Sequence, residues 1–67
     1  MNRSNDWLVV QVRNNTFRAF HVTFGGSWEV KYKVAKKGQD VNQLADRYAK
    51  TYTQTKKMKF FKVVNYD

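Results

Sequence analysis

Residues 25–38, GGSWEVKYKVAKKG, carry the most regular alternation in the chain. From Trp28 to Val34 every even position is apolar or aromatic, and every odd position is Glu or Lys. Successive side chains of a β-strand point to opposite faces, so a period of two is typical of a strand with one buried face. The pattern predicts a strand over about 28–36, with an apolar face toward a core and a lysine-rich face toward solvent.

Two shorter segments that precede this stretch also predict strands. Residues 7–13 (WLVVQVR) and 17–24 (FRAFHVTF) are rich in β-branched and aromatic residues and are short for helices. Asn14 and Asn15 tolerate the positive φ of a tight turn, and the pair Gly25-Gly26 ends the second segment. The three segments together predict three antiparallel strands.

The lengths of the two loops decide which side chains share a face, because a one-residue slip in register reverses every side chain of a strand. Three-residue loops at 14–16 and 25–27 bring most apolar side chains to one face, and burial favours that arrangement. A two-residue turn at 14–15 is also good turn chemistry and stays an alternative. With the longer loops, the predicted core face consists of Leu8, Val10, Val12, Phe20, Val22, Phe24, Trp28, Val30, Tyr32 and Val34.

The segment DVNQLADRYAKTY, residues 40–52, has the periodicity of a helix. Asp40 is a favourable N-cap residue, and Gln43 completes a capping-box pattern three positions later. Apolar side chains recur every three or four residues, at the spacing of one helical face: Val41, Leu44, Ala45, Tyr48, Ala49 and Tyr52. We predict a helix over about 41–53 and, from MKFFKVVNYD, a fourth strand over about 58–66.

These segments predict a single small α+β domain over 1–67, with a loose N-terminus at 1–5. The element order is β-β-β-α-β, with one helix packed on one face of an antiparallel sheet; the position and direction of the fourth strand stay open. A chain of 67 residues is long enough for one core only. Its 42% apolar and 16% aromatic residues are too many for a disordered chain, despite a mean hydropathy of −0.77.

The charge balance indicates a polyanionic partner. Thirteen Lys and Arg residues against five Asp and Glu leave a net charge of +8, and the isoelectric point is near 10.1. A field of this sign favours nucleic acid, an acidic protein face or anionic lipid. The simpler alternative is that the surplus of lysine keeps a small domain in solution.

Catalytic and metal-binding chemistry is not indicated. The sequence has no Cys, and His21 is its only histidine, without an acidic residue at a metal-ligand spacing. FGGSW at 24–28 lacks the length and the Lys-Ser/Thr pair of a phosphate-binding loop. We predict a non-catalytic protein without cofactor or metal. Because the sequence shows neither a signal peptide nor an apolar span, we expect it to be cytoplasmic and not bound to membranes.

The face of the sheet away from the helix is the predicted binding surface, because cationic and aromatic side chains are left bare there. Lys and Arg contact phosphates, and rings stack on unpaired bases. We predict phosphate contacts for the cations and stacking for Phe17 and His21, with Gln11 and Arg13 placed to reach base edges. Two lysine runs that flank the helix, KYKVAKK at 31–37 and KKMKFFK at 56–62, are expected to converge at one end of the sheet. The predicted site residues are Arg13, Phe17, Arg18, His21, Lys31, Lys33, Lys36, Lys37, Lys57 and Lys59.

Two protein partners are alternatives to DNA or RNA. The chain has the size of small phage-type inhibitors or adaptors, which bind an acidic surface of a host nucleic-acid-handling or defence enzyme. The bare sheet face is also suited to a homodimer. In outline, residues 7–52 are similar to the N-terminal domains of tyrosine integrases, which have three antiparallel strands followed by a helix. That resemblance implies a sheet face laid into the DNA major groove, although the fourth strand departs from it.

Overall fold

The computed structural model describes residues 5–64. Within that range the elements are β1 (Trp7–Arg13), β2 (Thr16–Thr23), β3 (Gly26–Val34), α1 (Val41–Lys56) and β4 (Lys59–Val64). The predicted α+β class and the order β-β-β-α-β are confirmed. Most of the predicted loose N-terminus, at 1–4, and the predicted end of the fourth strand, at 65–66, lie outside the described residues.

The sheet is mixed, so the prediction of an antiparallel sheet is wrong. Among the described residues the strand order is β3-β2-β1-β4, in which β2 is antiparallel to both of its neighbours and β4 is parallel to β1. The helix explains the parallel pair, because it carries the chain back along the sheet before β4 begins. Trp7 accordingly stands beside Lys59, at the start of both strands.

Both hairpins are one residue tighter than predicted. Arg13 pairs with Thr16, so only Asn14 and Asn15 join β1 to β2, and residues 24–25 likewise join β2 to β3. Asn14 has a φ of 56°, a left-handed conformation that asparagine adopts more readily than most residues. The two-residue alternative is therefore the one the chain adopts.

The tighter turns reverse the predicted faces of β2. Val10 pairs with Ala19, not with Phe20, so Phe20 and Val22 lie on the open face of the sheet. Phe24, which was also predicted to be in the core, is fully exposed at the tip of the second hairpin. The side chains of β2 that face the helix are Phe17, Ala19 and His21.

A β-bulge in β3 breaks the alternation from which that strand was predicted. The register between β2 and β3 shifts between Ala19 and Phe20, and Val30 is left without a partner on β2. An extra residue changes the phase of the side chains beyond it. Trp28 consequently lies on the helix side of the sheet, whereas Tyr32 lies on the open side. The predicted core face is wrong for three exposed side chains: Trp28, Tyr32 and Val34.

The core lies between α1 and the helix side of the two central strands. Leu8, Val10 and Val12 are fully buried, as predicted. The helix contributes mainly small side chains on one stripe: Val41, Ala45, Ala49 and Thr53. The helix begins as predicted, because the Asp40 carboxylate accepts a hydrogen bond from the backbone N–H of Asn42 at 3.0 Å. It packs on β1, β2 and β4, and β3 lies beyond its edge.

Two predicted binding residues are not on the open face. Phe17 is only 2% exposed, with its ring 5.9 Å from that of Tyr48. His21 is also buried on the helix side. Both corrections have one cause: β2 pairs with β1 one residue out of the predicted register, which turns these two side chains inward.

Candidate functional site

Within residues 5–64 no element covers the open face of the sheet, as the sequence predicted, but Phe17 and His21 are not among the rings that lie on it. Trp7 and Phe61 are 40% and 48% exposed, Tyr32 is 53% exposed, and Phe20 is half-buried between them. Strand pairing places all four on the side opposite the helix. Contiguous exposed apolar surface is a common feature of interaction sites, which makes this face the candidate site.

The first aromatic group, which we call the tryptophan cluster, consists of Trp7, Lys59 and Phe61. The Trp7 and Phe61 ring centroids are 5.7 Å apart with the planes at 61°, an edge-to-face contact. The Lys59 ammonium lies 5.9 Å from the Trp7 ring centroid. A cation beside an exposed ring can bind a phosphate while the ring contacts a base.

The second group, the tyrosine cluster, consists of Arg18, Glu29 and Tyr32. The Arg18 guanidinium carbon lies 5.2 Å from the Tyr32 ring centroid, and its Nε lies 3.8 Å from a Glu29 carboxylate oxygen. Both charged side chains are exposed, so the ion pair is weak and leaves the guanidinium able to contact a ligand.

A cleft of about 220 Å³ adjoins the tyrosine cluster. Its lining is polar and cationic and consists of Gln11, Arg13, Thr16, Arg18 and Tyr32. Gln11 and Arg13 are the two residues predicted to reach base edges, and strand β1 brings both to this cleft. From strand spacing and rise, the cleft and the tryptophan cluster lie about 16 Å apart across the sheet.

The other predicted cations are not on the open face. Lys31 and Lys33 pair with Ala19 and Phe17, so they project on the helix side. Lys36 and Lys37 are exposed in the loop before the helix. Lys57 follows the helix as its left-handed C-cap, with φ 54°.

The two lysine runs do not converge, contrary to the prediction. Lys36 follows the end of β3, which pairs with the start of β2. Lys57 precedes Lys59, which stands at the opposite end of the sheet beside Trp7. A helix of 16 residues separates the runs, and such a helix is about 24 Å long.

A groove of about 310 Å³ lies on the helix side, between α1 and β3. Its floor is apolar and its rim cationic: Phe17, Lys31, Lys33, Leu44, Arg47, Tyr48 and Thr51. The groove exists because the helix does not reach over β3. Arg47 was not among the predicted site residues, because it lies outside the apolar stripe from which the helix was predicted.

His21 forms a buried network instead of an exposed stacking surface. Its Nδ1 lies 2.7 Å from the Tyr52 hydroxyl, and its Nε2 lies 2.8 Å from a carboxylate oxygen of Asp6. The Trp28 ring stacks on the imidazole at 4.7 Å with the planes 8° apart. Both ring nitrogens and one ring face are occupied within the fold. The network therefore links the segment before β1 to β2, β3 and the helix.

Burial raises the pKa of the Tyr48 and Tyr52 hydroxyls above the ordinary value of 10.0. The neighbouring Tyr52 adds to the shift at Tyr48, and the Asp6 carboxylate adds to it at Tyr52. An unfolded chain loses these protons at lower pH than the folded one does. The associated stability is complete below about pH 10 and is lost as pH rises through the raised pKa values.

We therefore expect a Tyr48→Phe/Tyr52→Phe variant to lose less stability than the native sequence between about pH 9 and about pH 11. Urea unfolding at a series of pH values measures how the free energy of unfolding changes with pH. This slope is compared, not the absolute stability, because Tyr52→Phe also removes a hydrogen bond. The exposed Tyr32→Phe variant is the control and should follow the native slope. Equal slopes for all three proteins would contradict the burial of these hydroxyls.

Within residues 5–64 no group of three or more His, Asp or Glu side chains is placed to hold a metal ion. No helix in that range is both long and apolar enough to cross a membrane. Comparison of the chain with protein-family models, with curated proteins and with solved structures gave no significant match.

Proposed function

We propose that this protein is a non-catalytic module that binds single-stranded nucleic acid on the open face of its sheet. The observation that carries the proposal is the pairing of an exposed ring with a cation at two places on that face. Lys59 stands beside Trp7, and Arg18 beside Tyr32. Proteins that bind single strands combine stacking rings with cations that follow the phosphates.

The spacing of the two clusters suits several nucleotides. A distance of about 16 Å can be bridged by a short extended strand whose bases stack on Trp7 and Tyr32. The cleft beside Tyr32 offers the Gln11 amide and the Arg13 guanidinium, which are groups that can bond to base edges. A duplex hides all base faces except those of its terminal pairs by stacking, so the single strand is the favoured ligand.

The test is a fluorescence-anisotropy titration with a labelled deoxythymidine oligonucleotide of about ten nucleotides. A Trp7→Ala/Tyr32→Ala variant should lose at least about tenfold in affinity, because stacking contributes about 1–3 kcal/mol per base. The matched control is Phe24→Ala/Phe60→Ala, which removes two exposed rings that are not on the open face and leaves the His21 network intact. That control should bind within about threefold of the native protein, since it leaves both clusters intact.

Salt dependence supplies a second measurement. The open face carries three cations: Arg13, Arg18 and Lys59. For a single strand, a plot of the logarithm of affinity against the logarithm of salt concentration should therefore have a slope of about −2. No binding at about 50 mM salt would contradict the proposal. An equal loss of affinity in the two double variants would also contradict it, because binding would then not depend on the open face.

The groove between α1 and β3 favours a second candidate function. In this function the protein docks on an acidic protein, as an inhibitor or adaptor. The three cations of the groove lie away from the open face, where the proposed nucleic-acid contacts are. The two functions therefore use separate surfaces and can be tested separately.

A further inference from the structure

β3 has an unpaired edge. Among the described residues it pairs with β2 alone, along nine residues from Gly26 to Val34. The other edge presents a row of backbone N–H and C=O groups, which is a template for an added strand. The helix does not protect this edge, because it packs on the three other strands.

The helix side of the same edge is cationic. Lys31 and Lys33 project from β3, and Arg47 faces them from the helix across the groove. Within residues 5–64 no carboxylate forms an ion pair with any of the three; the described pairs of other cations are Arg18 with Glu29 and Lys62 with Asp46. Three cations around one groove of about 310 Å³ are a site of unmatched positive charge.

The apolar floor of the groove also determines which acidic side chain fits there. Leu44 and Tyr48 are half-buried beside Phe17 and leave apolar surface between the cations. A glutamate side chain matches this arrangement, because its methylene groups can pack on the floor while its carboxylate reaches the rim. On the opposite side of the sheet, an added strand would meet the exposed Tyr32 and Val34, which suit apolar side chains.

A second copy of this chain does not match the edge. Pairing two β3 edges would bring Lys31 and Lys33 of both copies together, and each chain carries a net charge of +8. Like charges placed across a strand pair are destabilising, and edge lysines discourage such pairing. A nucleic acid would neutralise the cations but would leave the backbone edge unused.

We propose that the free edge of β3 and the adjoining groove bind an extended acidic polypeptide segment, which joins the sheet beside β3. The partner segment alternates acidic residues, which face Lys31, Lys33 and Arg47, with apolar residues, which face Tyr32. Backbone hydrogen bonds supply the geometry, and the three cations select the acidic partner. This inference rests on the second candidate function; it shares Tyr32 with the proposed nucleic-acid contacts but uses none of their cations.

The probe is a fluorescent nine-residue peptide that alternates Glu and Val, matched to the length of β3. Two isomers carry N-methyl groups on one or the other alternate set of amides, with identical charge. A strand bonds to its neighbour through alternate residues, so one isomer should lose binding and the other should keep most of it. Equal affinity of the two isomers would overturn the proposal, because the backbone edge would then play no part.

Matched charge variants test whether the peptide binds at the groove. Lys31→Glu/Lys33→Glu should lower peptide affinity more than tenfold, whereas Lys36→Glu/Lys37→Glu, with the same change in net charge, should lower it less than threefold. Lys31→Gln/Lys33→Gln is the second variant if the reversal disturbs folding, as checked by circular dichroism, and it should also weaken binding. Equal losses in the groove and loop variants would overturn the proposal.

Two further measurements separate this inference from nucleic-acid binding. The Trp7→Ala/Lys59→Ala variant, which leaves Tyr32 in place on β3, is tested for the oligonucleotide and for the peptide, and the oligonucleotide is tested as a competitor. If this variant loses oligonucleotide binding but keeps its peptide affinity within about fivefold of the native value, the two ligands bind to separate surfaces. Displacement of the peptide by the oligonucleotide from a Tyr32→Ala variant, in which the ring common to both sites is absent, would assign the groove to nucleic acid and would overturn the proposal. Failure of the oligonucleotide to bind anywhere would leave the peptide result standing and would remove only the proposed function.

Discussion

Replacing Phe17 by Ala is expected to unfold a large fraction of the molecules at 25 °C. Phe17 is among the largest fully buried side chains, and its ring packs against Tyr48 below the helix. Truncating a buried Phe to Ala costs about 3–5 kcal/mol, because apolar contacts are lost and a cavity remains. A small domain has little more than about 5 kcal/mol of stability in total, so this single change removes most of it.

Urea unfolding followed by circular dichroism measures this loss, and Phe61→Ala is the matched control. Phe61 is the same residue type but half-exposed on the open face, so its truncation should cost less than about 1 kcal/mol. The two variants also distinguish two roles for Phe17. A stably folded Phe17→Ala protein that no longer binds an oligonucleotide would restore Phe17 to the stacking role that the sequence predicted and would contradict the register of β2.

Replacing His21 by Ala is expected to be the next most damaging of these changes, at about 2–4 kcal/mol. The substitution removes the stacked contact with Trp28 and leaves the Tyr52 hydroxyl without its partner at 2.7 Å. A polar group that loses its partner costs more than the hydrogen bond contributed, because it is desolvated without compensation. The Asp6 carboxylate is more accessible, so water can replace its contact at lower cost.

A double-mutant cycle isolates the contact between His21 and Tyr52. His21→Ala and Tyr52→Phe are measured singly and together, and a coupling energy of about 0.5–3 kcal/mol is expected for groups in one hydrogen-bond network. The control cycle pairs His21→Ala with Tyr32→Phe, on the other side of the sheet, and should be additive within about 0.5 kcal/mol. Additivity in the first cycle would show that the two side chains act independently.

Features that depend on one segment alone could be predicted from the sequence. The alternation within β1 places Leu8 and Val10 in the core and Gln11 and Arg13 on the open face without reference to a partner strand. The start of the helix at Asp40 is likewise local, because the cap and the first turn are neighbours in sequence. For the same reason, the two base-edge candidates are where they were expected.

Features that depend on two strands at once could not be predicted. The loop after β1 has acceptable turn chemistry with two or three residues, and that one residue decides whether Phe17 is buried or exposed. The bulge at Val30 accommodates the local geometry of the β2–β3 pair and has no turn or glycine signal in the sequence. Tyr32 was consequently missed as a stacking candidate, and Phe17 and His21 were chosen. Trp7 was also missed, although the alternation within β1 places it on the same face as Gln11 and Arg13.

The parallel pairing of β4 with β1 affects how the chain folds during synthesis. β1 lies in the middle of the sheet, but one of its two neighbours, β4, is the last of the described strands to be synthesised. Until residues 59–64 arrive, the nascent hairpins carry an apolar strand with an open side, a state prone to association with other chains. Completion of the fold must therefore wait for its most distant contact, which places this protein among slower folders than its small size suggests.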